Sequence, residues 1–390
     1  MNKPKIRFSG YMDAWEQRKL GEVFAERTER ANGDEELLSV TIGNGVIRQA
    51  DSDKRNLASE DKSNYKIVRK GDVPYNSMRM WQGAVGNSEY DGIVSPAYTV
   101  LIPKKEANGK FFMELFKKET TLKIFQRWSQ GLTSDTWNLK YPVLSSIEFY
   151  MPSLEEQTKI AECFQGIDHL ITLHQRKCEE TKKIKKYMLQ KMFPQNGSKV
   201  PEIRFGGFTD DWEQRKLGDI FLEYTEKNHS ELPVLTIVQG GGTVLREESD
   251  RNLQYDKSSL SGYKMVQKDD FIVHLRSFEG GLEKSSHEGL ISPAYHTFHG
   301  DNVDSRFYYP YFRSHEFIKH KLVPHVYGIR DGRSIDIDGM KTIEIPYTSY
   351  EEQKKIGDYI ESLDRLITLH QRKCEEFQIM KKYMLQNMFV

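Results

Sequence analysis

The chain contains two copies of one sequence pattern, and this internal repeat constrains its fold more than any other feature. The residues ITLHQRKCEE occupy positions 171–180 and occur again, unchanged, at 367–376. Other segments recur at offsets of 196 or 197 positions. They are PKIRFSGYMDAWEQRKLGEVF (4–24) with PEIRFGGFTDDWEQRKLGDIF (201–221), GIVSPAY (92–98) with GLISPAY (289–295), LEEQTKI (154–160) with YEEQKKI (350–356), and KKYMLQKMF (185–193) with KKYMLQNMF (381–389). This pattern predicts two sister modules of one architecture.

Between the shared segments the two copies differ. LSVTIGNGVIRQ (38–49) stands opposite LTIVQGGGTVLRE (235–247), and VPYNSMRMWQGAVG (73–86) stands opposite FIVHLRSFEGGLEK (271–284). These segments combine β-branched or aromatic residues with glycines and polar residues, which is typical of strands joined by exposed turns. The modules are therefore predicted to share a framework and to differ in their loops.

Each copy ends in a stretch with the periodicity of a long helix. Ser153 with Glu156, and Ser349 with Glu352, have the spacing of a capping box. Apolar residues then recur at spacings of four and three, which is typical of a coiled-coil seam. The predicted helix seam consists of Ile160, Phe164, Ile167, Ile171, His174 and Cys178 in the first copy and Ile356, Ile360, Leu363, Ile367, His370 and Cys374 in the second. The histidines are interpreted as polar seam residues that fix the register, and the cysteines as small seam residues.

The connection between the two helices predicts their direction. A compact second module would place the start of the second helix near the end of the first, so the helices are expected to run antiparallel. About 40 residues at 1.5 Å each give a stalk of roughly 60 Å. One module is expected at each end, with approximate twofold symmetry.

The predicted fold class is α+β, because each module mixes runs such as YTVLIP with helical stretches such as FFMELFKKETTLKIFQRW (111–128). In full, two homologous globular modules are separated by two long α-helices that form an antiparallel coiled coil. The predicted organisation is a first module at 1–150, a central spacer helix at 151–193, a linker at 194–200, a second module at 201–346 and a C-terminal spacer helix at 347–390.

The divergent loops, and the loops that precede the helices, are rich in side chains that suit base edges and phosphates. Arg79 and Arg276 fall at equivalent places in the two copies. The candidate DNA-binding residues are Arg48, Asn76, Ser77, Arg79, Trp81, Gln82, Gln130 and Ser134 in the first module and Arg246, His274, Arg276, Ser277, Glu279, Tyr327, Arg330 and Arg333 in the second.

Composition limits how such contacts can work. Basic and acidic residues number 57 each, so the formal net charge is zero, which argues against binding nucleic acid by bulk attraction alone. The three cysteines, Cys163, Cys178 and Cys374, are too few and too scattered for a disulfide framework or a zinc cluster, which favours a reducing compartment. No stretch approaches eighteen apolar residues, and residues 1–10 lack the apolar segment of a signal peptide, so a cytoplasmic location is expected.

The sequence lacks the common catalytic motifs. It contains no GxxxxGK[ST] phosphate loop and no NPPF or DPPY methyltransferase motif, and GGG at 240–242 is predicted to form a turn because strand-like TVLRE follows it. His315, His320 and His325 recur every five residues, which would spread them around an α-helix. A non-catalytic protein with no metal and no cofactor of its own is therefore expected; a nuclease built on carboxylates such as Asp269 and Asp270 is an alternative.

The order of module, EEQxKI helix, module and EEQxKI helix resembles the specificity subunit of type I restriction-modification enzymes over essentially the whole chain. The segments that carry the resemblance are the two WEQRKLG sequences and the helix starts EEQTKI (155–160) and EEQKKI (351–356). The resemblance implies two target recognition domains, each reading one half of a bipartite, asymmetric site in double-stranded DNA. It also implies that the helices set the spacer and dock two methyltransferase subunits, that restriction subunits join through that complex, and that S-adenosylmethionine and ATP bind only the partners.

The alternative from another class is a coiled-coil adaptor whose modules bind proteins without reading DNA sequence. The net charge of −6 over residues 201–348 favours that alternative mildly. A purified complex that binds its protein partner but has no DNA preference would support it.

Overall fold

The computed structural model describes residues 3–31, 35–52, 61–195, 197–249, 257–328 and 333–390. The chain divides into two compact units. Unit 1 comprises Met1–Gln175 and Arg372–Val390, and unit 2 comprises Arg176–Gln371. Each unit holds one module together with part of each long helix, whereas the sequence analysis treats the helices as segments of their own.

Unit 1 mixes short strands and helices, which confirms the α+β class. Its strands are β1 (Glu16–Lys19), β2 (Phe24–Glu26), β3 (Leu38–Thr41), β4 (Gly45–Arg48), β5 (Lys66–Val68), β6 (Val73–Asn76), β7 (Gly92–Val94), β8 (Tyr98–Pro103) and β9 (Glu148–Met151). Its helices are α1 (Leu20–Val23), α2 (Gly109–Lys117), α3 (Glu119–Trp128), α4 (Tyr141–Leu144), the first part of α5 (Leu154–Lys191) and the last part of the C-terminal helix α10 (Tyr350–Asn387), with 3₁₀ turns at Gln49–Asp51 and Met80–Gln82.

The strands of unit 1 pair in antiparallel fashion. β2, β8 and β6 form a sheet in that order, in which Leu101 on the central strand faces Glu26 on one side and Val73 on the other. β3 and β4 form a hairpin, and β5 pairs with β7. β1 pairs with β9, which joins the start of the module to the strand that immediately precedes α5.

The core of unit 1 is rich in aromatic residues. On α2, Phe111, Phe112, Leu115 and Phe116 are buried because this spacing places them on one face of the helix. The side chain of Asn108 caps α2 by accepting hydrogen bonds from the amides of its first turn. Each fully buried phenylalanine contributes about 1.5–3 kcal/mol of burial free energy, so α2 is held mainly by its packed face.

Unit 2 has the same class of fold. Its strands are β10 (Glu213–Lys216), β11 (Leu222–Tyr224), β12 (Leu235–Val238), β13 (Gly242–Leu245), β14 (Lys264–Val266), β15 (Phe271–Val273), β16 (Glu283–Lys284), β17 (Gly289–Ile291), β18 (His296–His299), β19 (Val326–Tyr327), β20 (Ser334–Ile335) and β21 (Glu344–Tyr347). Its helices are α6 (Leu217–Ile220), α7 (Ser277–Gly280), α8 (Ser305–Phe312), α9 (Ile337–Lys341), the last part of α5 and the first part of α10 (Tyr350–Asn387), with 3₁₀ turns at Arg246–Glu248, Lys257–Gly262 and Val323–His325 and a π-helical turn at Glu316–Leu322.

The strand pairings of unit 2 repeat those of unit 1. β11, β18, β15 and β16 form the main sheet, β12 and β13 form a hairpin, β14 pairs with β17, and β10 pairs with β21. β19 and β20 form a further hairpin, and its counterpart in unit 1 is the single bridge between Gln130 and Asn138. The repeat in the sequence is therefore a repeat of topology.

In unit 1 the two long helices pack antiparallel. Phe164 contacts Phe389 with ring centroids 5.7 Å apart, and His174 contacts Phe377 at 5.7 Å. Between these contacts, the Lys381 ammonium donates to Asp168 at 2.7 and 2.8 Å. Partner numbers fall on α10 as they rise on α5, which defines the antiparallel direction.

Unit 2 contains the equivalent helix pair. Lys185 donates to Asp364 at 2.5 and 2.7 Å, and the Cys178 sulfur lies 4.0 Å from the carbonyl oxygen of Ile367. Of the predicted seam residues, Ile171, His174, Ile367, His370 and Cys374 are half-buried, and the others are buried.

Each module is locked to the start of its long helix by one buried carboxylate. Glu156 accepts two hydrogen bonds from Arg7, from Nε at 2.7 Å and from Nη2 at 2.8 Å. The amide of Glu156 meets the Ser153 hydroxyl at 3.4 Å, so half of the predicted capping box forms. The other half does not, because Arg7 takes both carboxylate oxygens. Unit 2 repeats this arrangement with Glu352, Arg204 and Ser349.

The glutamine that follows each of these glutamates ties the long helix to a helix of the module. The Gln157 side chain accepts from the Asn108 amide at 2.9 Å and donates to the carbonyl of Pro152 at 2.9 Å. Gln353 makes the same pair of bonds, with Asp304 at 3.0 Å and Thr348 at 2.8 Å. The repeated EEQ sequence therefore marks the junction between module and helix.

Candidate nucleic-acid interface

In unit 1, three divergent segments meet on one surface. The Leu139 amide donates to the Ser77 carbonyl at 2.8 Å, and Trp81 packs edge-to-face on Trp137 at 5.2 Å. These contacts join the segment after β6 to the loop at 129–139. The turn of the β3–β4 hairpin adjoins the same segment, because a Cβ atom added to Gly86 would lie only 2.6 Å from the Val46 amide nitrogen.

The surface formed by these three segments presents both polar and apolar side chains. Its exposed members include Arg79, Gln130, Ser134, Met78 and Leu132, of which Leu132 is completely exposed. Backbone bonds between Gln130 and Asn138 hold the base of the loop that carries Leu132. A rigid scaffold that displays mixed side chains on loops is typical of a binding surface.

In unit 2 the equivalent segments also meet. A Cβ atom on Gly280 would lie 2.4 Å from Nε2 of Gln239, so the tip of the β12–β13 hairpin rests against α7. The guanidinium of Arg333, just before β20, lies 5.0 Å from the centre of the Phe278 ring. Arg276, Glu279 and Tyr327 are exposed on these same segments.

The two equivalent arginines have the same backbone conformation. Arg79 has φ −129° and ψ 16°, Arg276 has φ −115° and ψ 16°, and each immediately precedes a short helical turn. The Arg79 guanidinium also donates to the Gln82 side chain at 3.1 Å. The framework therefore presents one arginine in the same way in both units, with different neighbours around it.

Two of the predicted DNA-binding residues, Ser77 and Ser277, are buried and cannot contact DNA. Ser77 is 4% exposed and its hydroxyl bonds to that of Thr99 at 2.8 Å, while Ser277 is fully buried and its hydroxyl accepts from the His274 amide at 2.9 Å. Both hydroxyls hold the turn that follows a sheet strand, so we remove them from the set of candidate contacts.

The ring of His274 also faces inward. Its Nδ1 accepts from the Arg276 amide at 3.3 Å, and its Nε2 is buried without a hydrogen-bond partner among the residues described. Burial lowers the pKa of this imidazole below its ordinary value, so the ring is neutral near pH 7. His274 therefore supports the turn that carries Arg276.

The remaining candidates lie at the edges of the two surfaces. Arg48 pairs with Glu36 at 3.3 Å and lies 4.8 Å above the Tyr90 ring, and Arg246 donates to the Thr236 hydroxyl at 3.4 Å. Asn76 accepts from the Met78 amide at 3.0 Å. Arg330 lies outside the described residues.

The sequence analysis did not predict three further exposed residues of these surfaces, Gln239, Met78 and Leu132. Their only signal in the sequence was a place in, or next to, segments that differ between the copies.

The prediction that His315 and His320 point in different directions is wrong, because it assumes an α-helix. The segment Glu316–Leu322 is π-helical, so residues five apart face the same way, and the rings of His315 and His320 lie 5.6 Å apart. Even so, the described ranges contain no group of three or more His, Cys, Asp or Glu side chains that could hold a metal ion. The GGG turn is confirmed, with Val238 paired to Gly242 across it.

None of the described helices is both long enough and apolar enough to cross a membrane.

The fold defines a class of repeat proteins in which an α+β module alternates with a long helix. A family model described as a type I restriction modification DNA specificity domain matches this chain twice, at residues 12–183 and 209–378. The chain therefore belongs to the family of type I restriction-modification DNA specificity proteins, as the sequence resemblance indicated.

Two relatives agree with this assignment, and one solved structure shares the fold. The specificity subunit of the type I restriction enzyme MjaVIII of Methanocaldococcus jannaschii is 24% identical over 340 residues, covering 81% of this chain and 77% of the relative. The putative MjaX specificity subunit of the same organism is 22% identical over 348 residues, covering 84% and 79%. The crystal structure of a type I restriction-modification S subunit from M. genitalium shares the fold, with a TM-score of 0.58 and 14% identity over 100% of this chain and 99% of the other.

Proposed function

We propose that this chain is the DNA-reading subunit of a type I restriction-modification complex, in which each module reads one half of a bipartite, asymmetric site. One observation carries the proposal: equivalent surfaces on one repeated framework present different side chains. Arg79 and Arg276 are the shared element and suit a sequence-independent phosphate contact. Ile42 and Gln239 are equivalent hairpin residues that differ, and such differences suit the readout of different bases.

The two long helices are proposed to set the spacer and to dock two methyltransferase subunits. Exposed apolar side chains recur at equivalent positions of the helices, as Ile184 with Met380 and Tyr187 with Tyr383. Repetition of a surface supports two copies of the same partner. Restriction subunits would join through this complex. S-adenosylmethionine and ATP would bind the partner subunits, so that this chain contributes recognition and the partners contribute chemistry.

A module exchange tests the assignment of half-sites. In the test variant, residues 12–150 replace residues 209–346, so that both modules carry the first set of loops. The exchange keeps Arg204, Glu352 and Gln353, and it supplies Asn108 in place of Asp304, so the junction described above can form with either module. Methylation mapping with the cognate methyltransferase should then show the first half-site on both sides of the gap.

The reciprocal exchange, with two copies of the second module, is the matched control and should double the other half-site. An exchange variant that stays folded but keeps the original asymmetric motif would refute the proposal. A wild-type complex that binds its methyltransferase but shows no DNA sequence preference would favour the adaptor alternative. A fall of DNA affinity with added salt would identify the phosphate contribution.

A further inference from the structure

The hairpin of β12 and β13 in unit 2 is fixed at its turn by a buried carboxylate. Glu283 is fully buried, and its two oxygens accept from the amides of Gly240 at 2.7 Å and Gly242 at 3.1 Å. Both glycines have positive φ, +83° and +73°, a conformation that other residues rarely adopt. The carboxylate therefore occupies the inner side of the turn and determines where it lies.

Glu283 is itself held from the opposite side. The Tyr309 hydroxyl donates to it at 2.7 Å, and the Arg313 guanidinium forms an ion pair with it. Both partners come from α8 and the residue after it. A buried carboxylate with four donors is satisfied and rigid, so Glu283 connects the hairpin turn to α8 in the core of the unit.

In unit 1 the turn of the equivalent β3–β4 hairpin is supported by backbone instead of by a carboxylate. Ser88 and Ser285 are equivalent, because the Ser88 amide donates to the backbone carbonyl of Asp72 and the Ser285 amide donates to that of Asp270, at 2.8 Å in each case. Counting back two residues places Gly86 opposite Glu283. A Cβ on Gly86 would lie 2.9 Å from Gly45, so here backbone packs directly on the hairpin turn. The support under this hairpin therefore differs between the two modules.

The fixed turn places one exposed amide at the candidate interface. Gln239 is exposed, and no hydrogen bond within the described ranges engages its side chain. Its amide rests against Gly280, at the end of the turn that carries Arg276 and Glu279. A glutamine amide offers a donor and an acceptor together, the pair that matches N7 and N6 of adenine in the major groove.

We propose that Gln239 is a base-reading residue of the second module and that Glu283 is its positioning residue, which fixes the hairpin that carries it. This inference rests on the proposed reading of DNA by the modules. The expected base class is a purine with adjacent donor and acceptor groups, adenine in particular.

The test uses the full chain with its methyltransferase and compares Q239A, E283A and D219N with the wild type by methylation mapping and by binding to a duplex library. Q239A should reduce discrimination at one position of the second half-site by about tenfold or more. E283A should relax the same position, while the first half-site stays unchanged. D219N, which removes an exposed charge on α6 of the shared framework, should leave that position as selective as in the wild type.

A merely structural role for Glu283 would weaken binding to all sequences equally without changing the preferred base. The conservative E283Q, which keeps one acceptor, should retain more selectivity than E283A. An unchanged motif in Q239A overturns the inference whether or not E283A folds, and so does an unchanged motif in folded E283A. A wild-type complex that lacks a split motif overturns instead the proposed function.

Discussion

The glutamate at each junction gives a quantitative test of how a module is joined to its helix. In unit 2, Glu352 is fully buried and accepts from Arg204 at 2.7 and 2.8 Å, from Trp212 Nε1 at 3.0 Å and from the Thr348 hydroxyl. Replacing it with glutamine removes the charge that balances Arg204, whose side chain is only 11% exposed. Breaking a buried ion pair from one side costs about 3–5 kcal/mol, so E352Q should lower the free energy of unfolding of unit 2 by about that amount.

The matched variant is E156Q in unit 1. Glu156 takes the same two bonds from Arg7, but the indole Nε1 of Trp15 has no partner among the described residues, and no hydroxyl bond to Glu156 is present there. The two additional bonds in unit 2 end on a charged carboxylate, and glutamine can still accept one of them. The loss in unit 1 should therefore be about 1.5–3 kcal/mol smaller than in unit 2.

Native-state hydrogen exchange, followed by peptides from each unit, measures these changes separately, which a single melting curve of a two-unit protein does not. E351Q, on the exposed neighbour of Glu352, is the control and should change unit 2 by less than about 0.5 kcal/mol. Equal losses in E352Q and E351Q would contradict the structural role of Glu352, and an equal loss in E156Q and E352Q would contradict the difference between the two junctions.

Three further predictions concern pH, docking and spacing. The hydrogen bond to the buried Asp270 carboxylate raises the pKa of His299. The charged His299 side chain therefore stabilises unit 2 fully below the ordinary pKa of about 6.5, and this stabilisation is lost as pH rises through the raised pKa. Hydrogen exchange between pH 6 and 9 should show the loss in the wild type and not in H299Q. If the exposed tyrosines of the helices belong to the two proposed methyltransferase sites, Y187D or Y383D alone should weaken one site by about tenfold or more and leave one bound copy in native mass spectrometry. K186A, on an exposed neighbour, should keep two copies. Inserting four residues into both helices, after 175 and after 371, adds one turn of about 6 Å and should widen the gap between the two methylated half-sites by about one or two base pairs. An insertion in α5 alone should break the ion pair between Lys185 and Asp364. An unchanged gap in the double insertion would contradict the proposed spacer role.

The internal repeat was the most informative feature of the sequence. The duplicated segments predicted the repeated α+β topology, and the serines at 153 and 349 predicted the helix starts to within a residue. These features depend on local patterns or on direct repetition, both of which can be read from one sequence. The antiparallel direction followed from chain connectivity, which is also a property of the sequence.

The misjudged residues depend on distant partners. Nothing local distinguishes Ser77 from Ser134, but Thr99 on a neighbouring strand draws the first hydroxyl into the core. The capping-box glutamates meet arginines about 150 positions away, at Arg7 and Arg204. The role of Glu283 arises from amides 41 and 43 positions away, in another hairpin. Such pairings appear only once the sheet has brought the segments together.

The placement of Phe389 has a consequence for the order in which the protein matures on the ribosome. Its ring packs against Trp15 at 6.4 Å and Phe111 at 5.2 Å, and the Ile6 amide bonds to the carbonyl of Asn387. The first module, predicted to end at residue 150, therefore waits for Phe389, which is translated 239 codons after that end. The second module already has Phe193 to pack beside Trp212. Nascent chains should complete unit 2 before unit 1, and an early, open N-terminal half is the stage at which aggregation or chaperone capture is to be expected.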